Sequence, residues 1–502
     1  MPSVATECKQ AMAQARDYRT WHDAAEELDR WEGMETWRED EVSPDYDYPL
    51  IRERLQTLRK YRNADGVSKL VYYLRQGMHW NLGNVSNPEL YRHSRVGTKY
   101  LVQDYLDTLA STLNYLCDND FADFSGEEKT KFFQEVAQSF GRSALVLSGG
   151  ATMGFFHIGV VKALREQGLL PRVISGSSAG AMVAAGLGTV KEEELDSAFD
   201  ARRFSVKFWE FLRMDAALRR GVIMDDSQLR KAIESIIPDM TFADAYEQTR
   251  CIINITVSPA HTNQIPRLLN HLTFPHLYLR EAVLASCAVP FVFPPQMLMT
   301  RDADGKKVPF MPTQKWVDGS MKSDIPILRL RRLHNVNHTI VSQTNPLVLP
   351  FMQLKGTEQD TFFYQPADFL LQNVRSQIQY AAKVGGHYAP FAPVRKRLSD
   401  AHALLEQDYR GNVTILPRFK LINYLRLAAN PSVAEVEDYV LEGERSIWPK
   451  LAMIRNQTMI SQTLDACLDR LHARAALVEK PEAAPVVPAK APRRRLQLRL
   501  VR

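Results

Sequence analysis

At 502 residues, with 45% apolar and 24% charged residues, the chain has ordinary globular composition and length enough for two to four domains, which excludes wholesale disorder. Its formal net charge of +5 suits an acidic membrane surface but is too small to call for nucleic acid. Five scattered cysteines (Cys8, Cys117, Cys251, Cys287 and Cys467), never in a C-x-x-C pair, fit reduced thiols in a cytoplasmic protein better than a disulfide framework or a zinc site. The N-terminus lacks the apolar run of a secretory signal, and no uncharged apolar stretch approaches the roughly 18 residues of a membrane span. No signal peptide or transmembrane helix is therefore expected, and a lipid substrate would be met from the aqueous side.

Residues 1–140 read as helical and charged. "WHDAAEELDRWEGMETWRE" and "LIRERLQTLRKYRN" carry apolar residues at helical spacing, with no clear strand run. The aromatic residues here (Trp21, Trp31, Trp37, Trp80, Tyr72, Tyr73) suit either helix packing or a membrane interface. Ser125 and Glu128 form a capping box, and Gly141 stands where the helix that follows would end on a left-handed residue. "SALVLSGG" then reads as a buried strand, 154–167 as a helix, "LPRVIS" as a second strand and "SAGAMVAAGLG" as a second helix. That succession is a βαβ unit with a parallel sheet behind it. Further strands are expected at 250–258 and 338–344. Beyond about residue 350 the pattern is helical again, in "ADFLLQNVRSQIQYAAKVG" and "SQTLDACLDRLHARAAL", before a Pro/Ala-rich, basic and disordered tail at 479–502. That tail is either simply solvated or drawn to acidic headgroups.

Two glycine clusters follow the first two strands: Gly149-Gly150-Ala151-Thr152-Met153-Gly154 and Gly176-Ser177-Ser178-Ala179-Gly180. Neither has the Lys-Ser/Thr of a phosphate-binding P-loop, and no acidic residue ends the second strand as a dinucleotide site requires. The second cluster instead has the G-x-S-x-G form of a nucleophile elbow. There a strained turn points the serine outward, and the flanking glycines remove Cβ atoms that would clash. Ser178 is the serine at its centre. Backbone N–H groups of Gly149, Gly150 and Ala151, just ahead of a helix, are of the kind that stabilise the oxyanion of acyl transfer. A base is also needed. One choice is a late histidine (His334, His338 or His387) in a Ser-His-Asp arrangement. The other is Asp318 of "KWVDGSMKSDIP", whose Asp318-Gly319 pair would otherwise read as a β-turn.

"LSGGATMGFFHIGVVKAL", "SGSSAGA" and "WVDGS" together resemble the patatin-like phospholipases, and more closely the patatin-type triacylglycerol lipases that carry a helical N-terminal domain. "GMHWNLGNVSNPELYRHSRVGTKYL", "LASCAVPFVFPP", "YRGNVTILP" and "GERSIWPKLAMI" extend the likeness over about residues 15–475. The resemblance implies an α/β fold: a three-layer α/β/α core with a parallel-rich sheet, flanked by helical N- and C-terminal regions. It implies a Ser178–Asp318 dyad, an oxyanion hole at Gly149, Gly150 and Ala151, and structural roles for Gly154, Gly176, Gly180 and Gly319. The expected divisions are a helical domain at 1–140, a catalytic domain at 141–345 and a helical region at 346–478. Met153 stands where many patatins have Arg or Lys, which favours a neutral glyceride over a phospholipid, and Ser320 replaces the usual Gly or Ala. The expected function is a serine acyl hydrolase acting on glycerolipids, triacylglycerol first, without cofactor or metal and in peripheral contact with a membrane or lipid droplet. Phospholipase A, lysophospholipase or acyltransferase activity stays open, as does an inactive lipid-surface scaffold; the oligomeric state is open too.

Overall fold

The computed structural model of this chain describes residues 3–64, 66–198, 200, 206–260, 264–353, 409–418 and 426–478. The expected helix at 367–385, His387 and the basic tail lie outside the described residues.

The central sheet is built on two neighbouring strands, β1 (Arg142–Leu147) and β2 (Val173–Gly176), which pair in parallel with Leu147 opposite Gly176. Strand β3 (Ile252–Pro259) extends the sheet beyond β2, while β8 (Val336–Ser342) and β9 (Val413–Ile415) extend it beyond β1, all in parallel. Two short strands, β4 (Arg267–Leu269) and β7 (Trp316–Asp318), run antiparallel on β3, so the sheet is mixed rather than wholly parallel. A separate two-stranded hairpin joins β5 (Met299–Arg301) to β6 (Lys307–Pro309).

Near-continuous apolar runs such as "ALVL" follow from burial on both faces. Along β1 the side chains alternate. Leu145 and Leu147 pack with Phe156, Val160 and Trp448 on one face, whereas Ala144 and Val146 pack with Ile325 and Leu330 on the other. The helices Phe156–Glu166 and Val433–Ile447 cover the first face and Ile327–His334 the second, which makes the three layers. Gly159 and Gly443 bring the first two helices into backbone contact, since a Cβ on Gly159 would lie 1.8 Å from the Val440 carbonyl oxygen.

Residues 3–140 form helices from Val4–Gln14 to Gly126–Phe140, the last opened by the Ser125/Glu128 capping box. Gly141 does have positive φ, but at φ 82° and ψ −179° it is extended rather than left-handed helical. The largest apolar cluster of this region closes around Ile460, Leu464 and Cys467 of the long Leu451–Val478 helix. Of the tryptophans, Trp21 is buried beside Trp448, at 6.5 Å between ring centroids, whereas Trp31 is exposed. Among the described residues no helix is long and apolar enough to cross a membrane, and all five cysteines are free thiols.

Candidate active site

The chain leaves β2 at Gly176, turns through Ser178 and enters the Ala179–Gly188 helix. Ser178 adopts φ 52° and ψ −120°, a strained conformation for a residue with a Cβ, worth about 1–3 kcal/mol. What holds it is close backbone packing. A Cβ on Gly176 would lie 2.2 Å from the Gly180 carbonyl oxygen, and one on Gly180 only 2.3 Å from that of Leu147. The Ser178 N–H donates to Ser286 Oγ at 2.9 Å, and the Ser286 hydroxyl donates onward to the Thr256 carbonyl at 2.8 Å. Ser286, on the Leu279–Cys287 helix, thus fixes the turn from behind; nothing in its local sequence marks it out.

Asp318 ends β7, opposite Val257 of β3, and leads into a short Ser320–Ser323 helix, so Asp318-Gly319 is a strand end and not a hairpin turn. A Cβ on Gly319 would meet the Thr256 carbonyl oxygen at 2.4 Å, which makes glycine the residue that lets this strand end approach β3. The Asp318 side chain is buried, and burial raises its pKa to about 6 against hydrogen bonds from Ser320 and the Ser178 side chain. Ser320 N–H donates to Asp318 Oδ1 at 2.7 Å. The described histidines do not compete for this place. His334 Nε2 pairs with Asn254 Oδ1 at 2.8 Å, and His338 bridges Ser143 and Gln457; burial lowers the pKa of each to about 4.

The first glycine cluster abuts Ser178, with a Cβ on Gly149 falling 3.4 Å from Ser178 Cβ. Gly149, expected as an oxyanion donor, has its N–H engaged: it donates to Asp324 Oδ1 at 2.8 Å. The N–H groups of Gly150 and Ala151 have no acceptor among the described residues, so two of the three expected donors are available. Asp324 was not marked by the sequence. It is fully buried, accepts from Asn345 Nδ2 at 2.9 Å, and burial raises its pKa to about 7, with the charge of Asp318 adding to the rise. Beneath the loop His157 joins the strand ends, its Nε2–H donating to the Ser148 carbonyl at 3.0 Å and its Nδ1 accepting from Ser342 Oγ at 2.7 Å. Burial takes its pKa down to about 4, so it is a neutral strut. Gly154 is required by Ala179, whose Cβ would lie 2.3 Å from a Cβ placed there.

A cavity of about 230 Å³ is lined by Ser178 and Asp318 together with Phe155, Met182, Gly186 and Ile236. None of the described residues lining it is basic. Met153 is not among them. The Ala151–Phe155 turn buries that side chain, so its identity does not act through direct contact with a ligand here. Among the described residues no cluster of side chains could hold a metal ion. The arrangement can deliver a hydroxyl nucleophile, a buried carboxylate acceptor for its proton and two backbone donors, on the wall of an apolar space.

Comparison with known proteins agrees in kind. The model for patatin-like phospholipases matches residues 145–331, and that for a domain of unknown function, DUF3336, matches residues 3–138. Triacylglycerol lipase SDP1L of Arabidopsis thaliana is 34% identical over 94% of this chain and 60% of its own length. Triacylglycerol lipase 4 of Saccharomyces cerevisiae is 35% identical over 92% of this chain and 52% of its own length. The chain thus spans little more than half of those two, whereas it covers 98% of triacylglycerol lipase ptl3 of Schizosaccharomyces pombe, at 34% identity.

Both buried carboxylates hold their protons more tightly folded than unfolded. Their contribution to stability is full below the ordinary carboxylate pKa of about 4 and is lost as pH rises through about 6 for Asp318 and about 7 for Asp324. Denaturant titrations across this window are expected to show stability falling with pH in the wild type. Asp324→Asn should fall less steeply between about pH 4 and 7; an unchanged slope would remove Asp324 from this role.

Proposed function

Because this chain belongs to the patatin-like phospholipase family, we propose that it is a serine acyl hydrolase that cleaves long-chain acyl esters of glycerol, triacylglycerol foremost. The observation that carries this reading is the strained Ser178 beside the buried Asp318, both lining one apolar cavity. Ser178 Oγ attacks the ester carbonyl carbon as its proton passes to the Asp318 carboxylate. The oxygen of the tetrahedral intermediate takes its charge toward the N–H groups of Gly150 and Ala151. Collapse breaks the bond to the glyceryl oxygen, which leaves with the proton from Asp318. Water then attacks the acyl-enzyme, giving its proton to Asp318; collapse breaks the bond to Ser178 Oγ, which takes that proton back as the fatty acid is released. A carboxylate with pKa near 6 is ionised at neutral pH, yet more basic than an exposed one, as a direct base for a serine must be.

The lack of a basic side chain on the described cavity wall favours an uncharged glyceride over a phospholipid. On this reading the divisions are a helical N-terminal domain over 1–140, the catalytic domain over 141–345 and a helical region over 346–478. The protein meets its substrate as a peripheral protein on the cytoplasmic face of a membrane or lipid droplet, a reducing setting that its free thiols support.

Ser178→Ala is expected to lower turnover of a soluble chromogenic acyl ester by about 10⁴-fold or more, with unchanged circular dichroism. Retained turnover would defeat the assignment. In the wild type, kcat/KM should fall about tenfold per pH unit below about 6, as Asp318 takes up its proton. An acid limb at the ordinary carboxylate value would point to a different base.

A further inference from the structure

Residues 206–224 leave the wall of the cavity at Phe208 and Trp209 and return to the neighbouring Phe291-Val292 loop, and their base is firmly held. The N–H groups of Phe208 and Trp209 both donate to Asn430 Oδ1, at 2.8 and 3.0 Å, and the Trp209 indole N–H reaches Thr152 Oγ1 at 3.2 Å. Both aromatic rings line the cavity, and Trp209 stacks on Phe293 with 5.8 Å between centroids. On the way back, Ile223 N–H donates to the Phe291 carbonyl at 3.2 Å and Met224 N–H to that of Val292 at 3.0 Å. This ties the segment to the loop that follows the Leu279–Cys287 helix.

Between these anchors the usual placing of apolar residues is inverted. Phe211 is 65% exposed, Met214 and Leu218 are each 79% exposed, and Ile223 is 50% exposed. Met214 and Leu218 stand four apart on the Met214–Arg220 helix and so share a face. Phe291, hydrogen-bonded to this segment, is 58% exposed and held at φ 69°, a left-handed backbone that a bulky residue seldom adopts. Leu347, which lines the cavity, adds another side chain at 56% exposure. Isolated exposed apolar residues are ordinary, but a group joined by backbone hydrogen bonds to the rim of a cavity is not.

The charges around this group are largely answered within it. Asp215 lies 3.8 Å from Arg213 and 2.5 Å from Arg219, and Asp225 lies 3.1 Å from Arg220. Such a patch complements an uncharged surface better than an anionic one.

We propose that the tip of the 206–224 segment, together with Phe291, is an interfacial docking surface that enters an uncharged lipid layer and holds the cavity mouth against it. The occupant is an acylglycerol phase coated with zwitterionic phospholipid. The proposal rests on the acyl-hydrolase reading above, and it locates lipid contact beside the active site instead of on the N-terminal helices, whose main apolar cluster is closed by the Leu451–Val478 helix.

The test is flotation of the full chain, carrying Ser178→Ala to prevent turnover, with triolein emulsions coated with phosphatidylcholine. Adding Met214→Gln, Leu218→Gln and Phe291→Asn preserves helix propensity at the first two positions and tolerance of positive φ at the third. Binding is expected to drop by about tenfold or more. The parent's binding should change by less than about twofold between roughly 50 and 500 mM salt. With Ser178 intact, the triple variant should hydrolyse a soluble short-chain ester within about twofold of wild type, while losing about tenfold or more on the emulsion. Undiminished flotation of the triple variant would overturn the proposal. So would parental binding that collapses in high salt, which would mark an electrostatic surface, or a wild-type dimer that the substitutions convert to monomer, which would make this face an interface between copies. Absence of soluble-ester hydrolysis in the wild type would instead defeat the acyl-hydrolase reading, with flotation still judging the docking surface.

Discussion

Gly180 packs directly on the carbonyl groups that end β1, with no room for a Cβ between them, and much of the site depends on that contact. Because β1 and β2 are parallel neighbours in register, both chains leave the sheet at the same edge, as ligand sites in parallel sheets require. The close approach then locks the turn at Ser178 against the glycine loop after β1. Gly154 against Ala179 repeats the same logic one turn further along. Two loops about 30 residues apart in sequence become a single surface, held by excluded volume more than by any strong bond. Ser286 adds the directional part, through one hydrogen bond to the strained Ser178 backbone.

Two buried carboxylates then divide the electrostatic work. Asp318 faces the Ser178 hydroxyl, and Asp324 faces away from it, toward the Gly149 N–H and Asn345. Burial raises both above the ordinary carboxylate range, and the charge of Asp318 makes ionisation of Asp324 less favourable still. On the proposed mechanism the stability cost is offset by function, since the first group serves there as the base. The second anchors the start of the loop whose next two N–H groups have no acceptor among the described residues. The long Leu451–Val478 helix packs with the N-terminal helices and holds the start of β1, through Asp465 to Arg142 and Ser461 to Ser143.

The features legible in the sequence are those whose physical cause is local. The glycines at 176, 180 and 319 announce close backbone approach, and the apolar runs announce buried strands. Asp318 stood out because a glycine followed it and an apolar pair preceded it. What could not be read depends on partners distant in the chain. Asp324 lies only six residues after Asp318, but its partner is a backbone N–H some 175 positions upstream. Ser286 looks like any small helical residue until the fold brings Ser178 to it. Gly149 could be read as an oxyanion donor only while Asp324 was unseen. Met153 shows a related limit: whether its side chain meets the cavity depends on the Ala151–Phe155 turn, and residue type alone carries no such signal. Exposure of the 211–223 tip was hidden too, since "FLRMDAALRRGVI" has the composition of an ordinary packed helix.

The most direct measurement of the central claim is covalent trapping of the nucleophile. The protein is reacted with an alkyl fluorophosphonate, and the modified residue is located by peptide mass spectrometry. The account predicts one adduct, on Ser178, formed much more slowly when Asp318 is replaced by Asn. No adduct on the folded wild type, or an adduct on Ser177 or another serine, would contradict it.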